Sequence, residues 1–190
     1  QARARAPGVR FWSAACSSGQ EPYSISMTIE EFQRANPGAL ANNVQIIATD
    51  LSPSMLDLAR AGLYDAAAMA RGISDERRRL FFGQRHGRWE VREDLRRRVS
   101  FREHNLQQGF EPLGKFQAIF CRNVLIYFSA DLKRDILTRF AVALHPGGYL
   151  FLGAAEAITG YSDAFEMLRL PQGIVYRLKR AKSIDPKNGV

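Results

Sequence analysis

Four apolar runs frame this chain. "VRFWSA" (9–14), "VQIIATD" (44–50), "FQAIFCRN" (116–123) and "YLFLGAA" (149–155) are hydrophobic at most positions and end in small or polar residues. Runs of this kind, without strict alternation, mark strands buried on both faces. Between them the apolar period becomes helical. "EPYSISMTIEEFQRA" (21–35) opens on Glu21 and Pro22, residues suited to a first turn because the amides there lack helical acceptors and carry partial positive charge. "SMLDLARAG" (54–62) follows Ser52 as cap and Pro53 at the first helical position. "SADLKRDILTRFAVAL" (129–144), capped by Ser129, repeats Leu132, Ile136, Leu137, Phe140 and Leu144 on one face. "SDERRRLFF" (74–82) predicts a short helix capped by Ser74, and "VSFREHNL" (99–106) continues the pattern as a third core strand. "RWEVREDLRRRVSF" (88–101) alternates around a polar centre and predicts a small antiparallel hairpin. "HPGG" (145–148) predicts a turn with Gly147 free to take positive φ, and "FEMLRL" and "GIVYRLK" predict a closing hairpin around "PQG".

Strands alternating with helices predict an α/β fold with a mainly parallel sheet covered on both faces. Ligands of such sheets sit beyond the carboxyl ends of the strands. The polar residues of this chain fall at those ends: Ser13 to Gly19, Thr49–Asp50, Asn105–Leu106, Cys121–Arg122–Asn123, and Gly153 to Glu156. Five strand ends delivering polar groups to one edge predict a site there.

The 190 residues and 46% hydrophobic content fit one globular domain. No apolar run approaches the ~20 residues that cross a bilayer, so membrane insertion is not expected. The start, "QARARAPGVR", has no apolar signal core and reads as the cut edge of a longer chain. Cys16 and Cys121 form neither a disulfide scaffold nor a zinc spacing, which fits a reducing, cytoplasmic setting. The net charge of +8 favours anionic partners, and arginine is concentrated between Arg71 and Arg102. That stretch reads equally as a solvated face or as a docking surface.

Asp50 ends the second strand, where an ionised carboxylate offers paired acceptors to the two hydroxyls of a ribose. The alternative is a helix-capping aspartate, but Ser52 already supplies a cap. The first loop has one glycine, Gly19, and no G-x-G-x-x-G. A diphosphate on the following helix is therefore disfavoured, and Glu21 would repel it. The same carboxylate attracts a cation. A nucleoside carrying an amino acid in place of phosphates satisfies both conditions, and S-adenosylmethionine is such a molecule.

"FWSAACSSGQEPYSISM", "IIATDLSPSMLDLARAGLY", "FREHNL" and "FQAIFCRNVLIYF", in this order and spacing, resemble the bacterial chemotaxis-receptor methyltransferases, the CheR type of protein-glutamate O-methyltransferase. The resemblance runs over about residues 9 to 178. It implies a Rossmann-like S-adenosylmethionine-dependent domain over 9–180, with an inserted β hairpin subdomain at about 84–101, a truncated linker edge at 1–8 and a loose tail at 181–190. It places Glu21 at the methionine end of the cofactor, Asp50 on the ribose, and Asn105 and Leu106 on the adenine. Cys121, Arg122 and Asn123 border the cofactor and the acceptor pocket, and Tyr127 lies near the transferring methyl. As plain structure, Leu106 would be core, Cys121 an inert thiol and Tyr127 a packed aromatic. Gln20 stands where many relatives carry a second glutamate.

The resemblance further implies methyl transfer to glutamates on the cytoplasmic helices of methyl-accepting chemotaxis receptors, leaving S-adenosylhomocysteine. Arg122 and Tyr127 would orient the acceptor, without covalent intermediate or metal. Recruitment to receptor arrays follows from such a substrate. The family's N-terminal helical domain is expected to be missing, leaving a fragment that binds cofactor but methylates poorly. Some relatives capture a C-terminal receptor pentapeptide on the inserted hairpin. The short lead-in "FFGQRH" predicts that this chain does not. A non-catalytic cofactor-sensing or acidic-partner docking module is the alternative. Nucleic acid is not expected as a substrate, because "CRNVLIYF" stands where amino-group methylators carry an Asn/Asp-Pro-Pro-aromatic signature.

Overall fold

The computed structural model of the chain describes residues 8–40, 43–70 and 72–180. The expected linker edge except Gly8, the expected tail and Arg71 lie outside these residues. The strands are β1 (Val9–Ala14), β2 (Val44–Asp50), β3 (Leu63–Tyr64), β4 (Phe82–Arg85), β5 (Arg88–Val91), β6 (Val99–Glu103), β7 (Phe116–Cys121), β8 (Leu144–Leu152), β9 (Phe165–Leu170) and β10 (Gly173–Leu178). The helices are α1 (Gln20–Ala35), α2 (Pro53–Ala61), α3 (Ala66–Met69), α4 (Asp75–Phe81), α5 (Glu93–Arg97) and α6 (Ala130–Ala143).

The main sheet has seven strands in the order β6-β2-β1-β7-β8-β10-β9. Its first five strands pair in parallel, and β10 pairs antiparallel with both β8 and β9. Alternation along β1 sends Phe11 and Trp12 to opposite faces. On one face Ile25 and Ile29 of α1 pack with Ile46, and with Phe11 and Phe120. On the other, Ile136, Leu137 and Phe140 of α6 join Trp12, Ile47, Ile119 and Leu150 in the largest core cluster. Trp12 is fully buried, meets Phe110 and Phe140 edge-on, and donates its indole N–H to Thr49 Oγ1 at 2.9 Å. A buried tryptophan needs that partner, because its ring N–H has left water. Ser52, Ser74 and Ser129 cap α2, α4 and α6 as the sequence predicts.

Two expected elements differ. The hairpin predicted over 88–101 lies earlier, as β4 and β5, with β3 completing a three-stranded antiparallel sheet. His86 and Gly87 make its two-residue turn with φ of 49° and 72°, the positive pair that matches strand twist in a tight hairpin. The stretch 93–97 is the helix α5 instead, with Glu93 and Asp94 in its first turn and Arg96 and Arg97 in its last. That charge order suits the helix dipole, and only Leu95 is fully buried, so the sequence shows no apolar period there. The "HPGG" segment belongs to β8 as an irregularity. Phe116 pairs with Leu144 but Ala118 with Tyr149, so residues 145–148 are accommodated opposite one, and Gly147 takes φ 76°.

The small sheet shares a core with α1: Tyr23 and Met27 pack with Tyr64, Met69, Phe81, Val91 and Leu95. The arginine-rich stretch is largely matched by carboxylates. Arg98 reaches Glu30, Arg77 reaches Glu31, and both Arg85 and Arg96 reach Glu90. Much of this positive charge is therefore tied to the domain itself. No helix of the described residues is long and apolar enough to cross a membrane.

Leu95 separates the two readings of 88–101. Leu95→Ala deletes a fully buried side chain and is expected to cost about 2–5 kcal/mol in urea unfolding. A cost within about 0.5 kcal/mol, typical of an exposed turn position, would contradict α5 and its packing.

Candidate active site

The loop leaving β1 turns sharply. Ala15, Ser17 and Gly19 have φ of 57°, 50° and 92°. Its amides are then spent within the fold: Cys16 N–H on the Thr49 carbonyl at 2.8 Å, Ser17 N–H on Asp50 Oδ2 at 2.8 Å. The single glycine has a packing reason. A Cβ on Gly19 would lie 2.9 Å from Ala59 Cβ and 3.2 Å from Tyr64 Oη. Gly19 therefore lets α1 approach α2 and the small sheet, a sufficient reason for glycine without any phosphate.

Asp50 accepts from Ser17 N–H through Oδ2 and from Ser52 N–H, at 2.9 Å, through Oδ1. It ties the first loop to the second. The cap of α2 is Ser52, whose hydroxyl accepts from Met55 N–H, so capping is not the aspartate's task. Each carboxylate oxygen offers about two acceptor positions. The two backbone bonds fix Asp50 and leave acceptor capacity toward the edge.

Glu21 lies one position inside α1. Its Oε1 accepts from Ser13 Oγ at 2.7 Å, and its Oε2 lies 3.6 Å from Arg122 Nη1. Burial pushes its carboxyl up from the usual range, opposed by the Ser13 hydrogen bond and the Arg122 charge. Arg122, half exposed, stands between two depressions. One, of about 670 Å³, is floored by Phe11, Ile25, Phe120 and Phe151 and includes Glu21. The other, of about 370 Å³, runs past Gly153 to Gln172 and Ile174 at the β9–β10 turn.

The remaining expected residues separate into edge and interior. Asn105 turns the chain after β6, its Oδ1 accepting from Gln107 N–H at 2.9 Å. Leu106 is buried in the main core. Cys121 is fully buried, and burial, with Glu156 and Glu21 nearby, pushes its thiol well up, as expected of an inert thiol. Asn123 is exposed, in left-handed conformation with φ 61°. Tyr127 ends the short 3-10 turn Leu125–Tyr127 and is 79% exposed, facing solvent rather than packing.

Sequence reasoning counted Glu156 among the polar strand ends but gave it no specific role. Its carboxylate is buried and accepts four backbone amides: Gly153 and Asn123 on Oε2 at 2.7 and 2.8 Å, Leu125 and Val124 on Oε1 at 2.7 and 2.9 Å. The signal was a lone carboxylate in "GAAEA" directly after an apolar strand.

The model of the family "CheR methyltransferase, SAM binding domain" matches residues 1–174. Chemotaxis protein methyltransferase 1 of Pseudomonas aeruginosa is 57% identical over 172 residues, covering 90% of this chain and 63% of that protein. The Vibrio cholerae protein of the same name is 55% identical, with 90% of this chain and 62% of that protein covered. The chain thus spans somewhat under two thirds of these relatives' length. Among solved structures, TrmN from Thermus thermophilus aligns with a TM-score of 0.54 at 18% identity, over 92% of this chain and 45% of that one. A TehB-like SAM-dependent methyltransferase from Corynebacterium glutamicum aligns with a TM-score of 0.53 at 13% identity, over 94% and 84%. Those two likenesses show the fold. Motifs, sheet order and the family match agree, and the chain belongs to the CheR methyltransferase family, as its S-adenosylmethionine-binding domain.

Proposed function

We propose that this domain holds S-adenosylmethionine across the carboxyl edge of the sheet and methylates glutamate side chains of chemotaxis receptors. The carrying observation is the separation of the carboxylates. Asp50 is anchored between two loops with acceptors to spare, and Glu21 is buried beside Arg122. This acceptor set fits the cofactor: a diol to donate to Asp50, an ammonium to donate to Glu21, and no glycine cradle for phosphates. On this reading Asn105 borders the adenine and exposed Asn123 walls the site, while Leu106 and Cys121, buried in the core, back these positions from beneath.

When bound, the cofactor supplies an electrophilic methyl on a sulfonium. The acceptor glutamate is ionised at neutral pH, with a reference pKa near ~4.3, so the chain need not supply a base. Its work is placement and charge management. Arg122 meets the incoming carboxylate from between the two depressions, and exposed Tyr127 donates its hydroxyl to it. The receptor's cytoplasmic helices supply the acceptor and bring the enzyme to receptor arrays. The tight β4–β5 turn supports docking without a receptor C-terminal peptide.

Asp50→Ala is expected to weaken S-adenosylmethionine binding about ten-fold or more by calorimetry, since hydrogen bonds to a charged group are worth roughly 1.5–3 kcal/mol. An unchanged dissociation constant in the folded variant would remove the ribose assignment.

Glu21 binds a cation only when ionised. Because burial raises its carboxyl, affinity should decline as pH falls through that raised value. Glu21→Gln should lower affinity at neutral pH and flatten the profile. An equally steep profile in Glu21→Gln would assign the titration to another group.

Receptor cytoplasmic fragments with and without their C-terminal segment, incubated with methyl-labelled cofactor, test the whole reading. Base-labile label on glutamates of both, slow but at similar rates, is expected. Label on nucleic acid, or on no receptor glutamate, would contradict it.

A further inference from the structure

Among the described residues, Glu156 is the one buried carboxylate at this edge to which the proposed chemistry gives no task. Its four amide partners account for the roughly four acceptor positions a carboxylate offers. It therefore has nothing left to offer a ligand, and its effect must pass through the backbone it holds.

That backbone lies at the centre of the site. Asn123, Val124 and Leu125 are consecutive, separated from the end of β7 by one residue, and Gly153 directly follows β8. Successive amides turned inward form a concavity that binds an anion. Here the anion belongs to the chain, and it joins the carboxyl ends of neighbouring parallel strands. The fit is close. A Cβ on Gly153 would lie 2.8 Å from Glu156 Oε2 and 2.9 Å from Asn123 N, so only glycine admits this approach. Asn123 is held at φ 61°, outside the usual range for a side-chain-bearing residue. Arg122 immediately precedes it, and its guanidinium reaches Glu21.

We propose that Glu156 is a positioning residue for methyl transfer: its carboxylate clamps the turn after β7 and thereby aims Arg122 at Glu21 and the incoming acceptor. The inference rests on the function proposed above, and its test therefore includes a readout independent of turnover. Glu156→Gln keeps the shape but leaves one acceptor oxygen and sets an amide N–H₂ against backbone N–H groups.

The Glu21 carboxyl reports whether Arg122 stays in place. Arg122 lowers it, while the Glu156 charge raises it by a smaller contribution. Removing the Glu156 charge with Arg122 undisturbed would lower the Glu21 titration. Releasing Arg122 would raise it. The two roles thus predict opposite signs.

The experiment is side-chain carbon NMR of Glu21 across pH in the native protein, Glu156→Gln, Arg122→Ala and the double variant. Expected is a rise in Glu156→Gln, a rise in Arg122→Ala, and no further rise in the double variant. A Glu21 titration that stays or falls in folded Glu156→Gln overturns the proposal, whether or not the native protein methylates receptors. If Glu156→Gln does not fold, Glu156→Asp takes its place: it keeps the charge but shortens the reach, so a rise supports the clamp and an unchanged titration overturns it. With receptor fragments, kcat of the Gln variant should fall about 100-fold, as for a misplaced reacting group, and Arg122→Ala should add little to that loss. Full additivity of the two losses would also overturn it.

Discussion

The strand ends at the carboxyl edge of the sheet create the constraint on which the site depends. Where β1, β7 and β8 stop, the chain turns and backbone amides lose their ladder partners while remaining near the core. Such amides must find acceptors, because an unpaired buried N–H costs roughly 1–3 kcal/mol. Carboxylates meet much of this demand. Asp50 takes Ser17 and Ser52, and Glu156 takes Gly153 and the three amides after Arg122. Each joins two segments distant in sequence. The loops of the edge are thus fixed from within.

This arrangement governs what the edge can bind. A phosphate-binding edge presents its amides outward to a ligand. Here many of them are already taken by the protein's own anions, and Gly19 serves helix packing. The edge presents acceptors: the spare capacity of Asp50 and the carboxylate of Glu21, with Arg122 as the compensating cation. A ligand with hydroxyls and an ammonium suits that set, and a diphosphate does not.

Much of this was legible in the sequence because local signals agreed. The bounds of β1 and β2 match their apolar runs, and Ser52, Ser74 and Ser129 cap the helices they precede. The family motifs carried the placement of Glu21, Asp50 and Arg122 at one edge. Where the sequence misled, a local pattern had a competing explanation. The polar stretch 92–98 reads as the turn of a hairpin but its charges are ordered for a helix, and the one deciding burial, Leu95, depends on packing with α1 and the small sheet. The "HPGG" stretch carries turn chemistry yet is absorbed by the pairing of β7 with β8. Glu156 was legible as a polar strand end, but its contacts were not, for a related reason. Three of its four partners lie more than thirty residues upstream, and no local period announces such a contact.

The central claim is that this edge selects a nucleoside bearing a cation and rejects one bearing phosphates. Calorimetric titration of the domain with S-adenosylmethionine, its analogue lacking the amino group, and adenosine diphosphate at one salt concentration tests it most directly. The account predicts that S-adenosylmethionine binds best, the deaminated analogue about ten-fold or more weaker through loss of the Glu21 contact, and adenosine diphosphate not measurably. Adenosine diphosphate binding as tightly as S-adenosylmethionine, or no loss with the deaminated analogue, would contradict it.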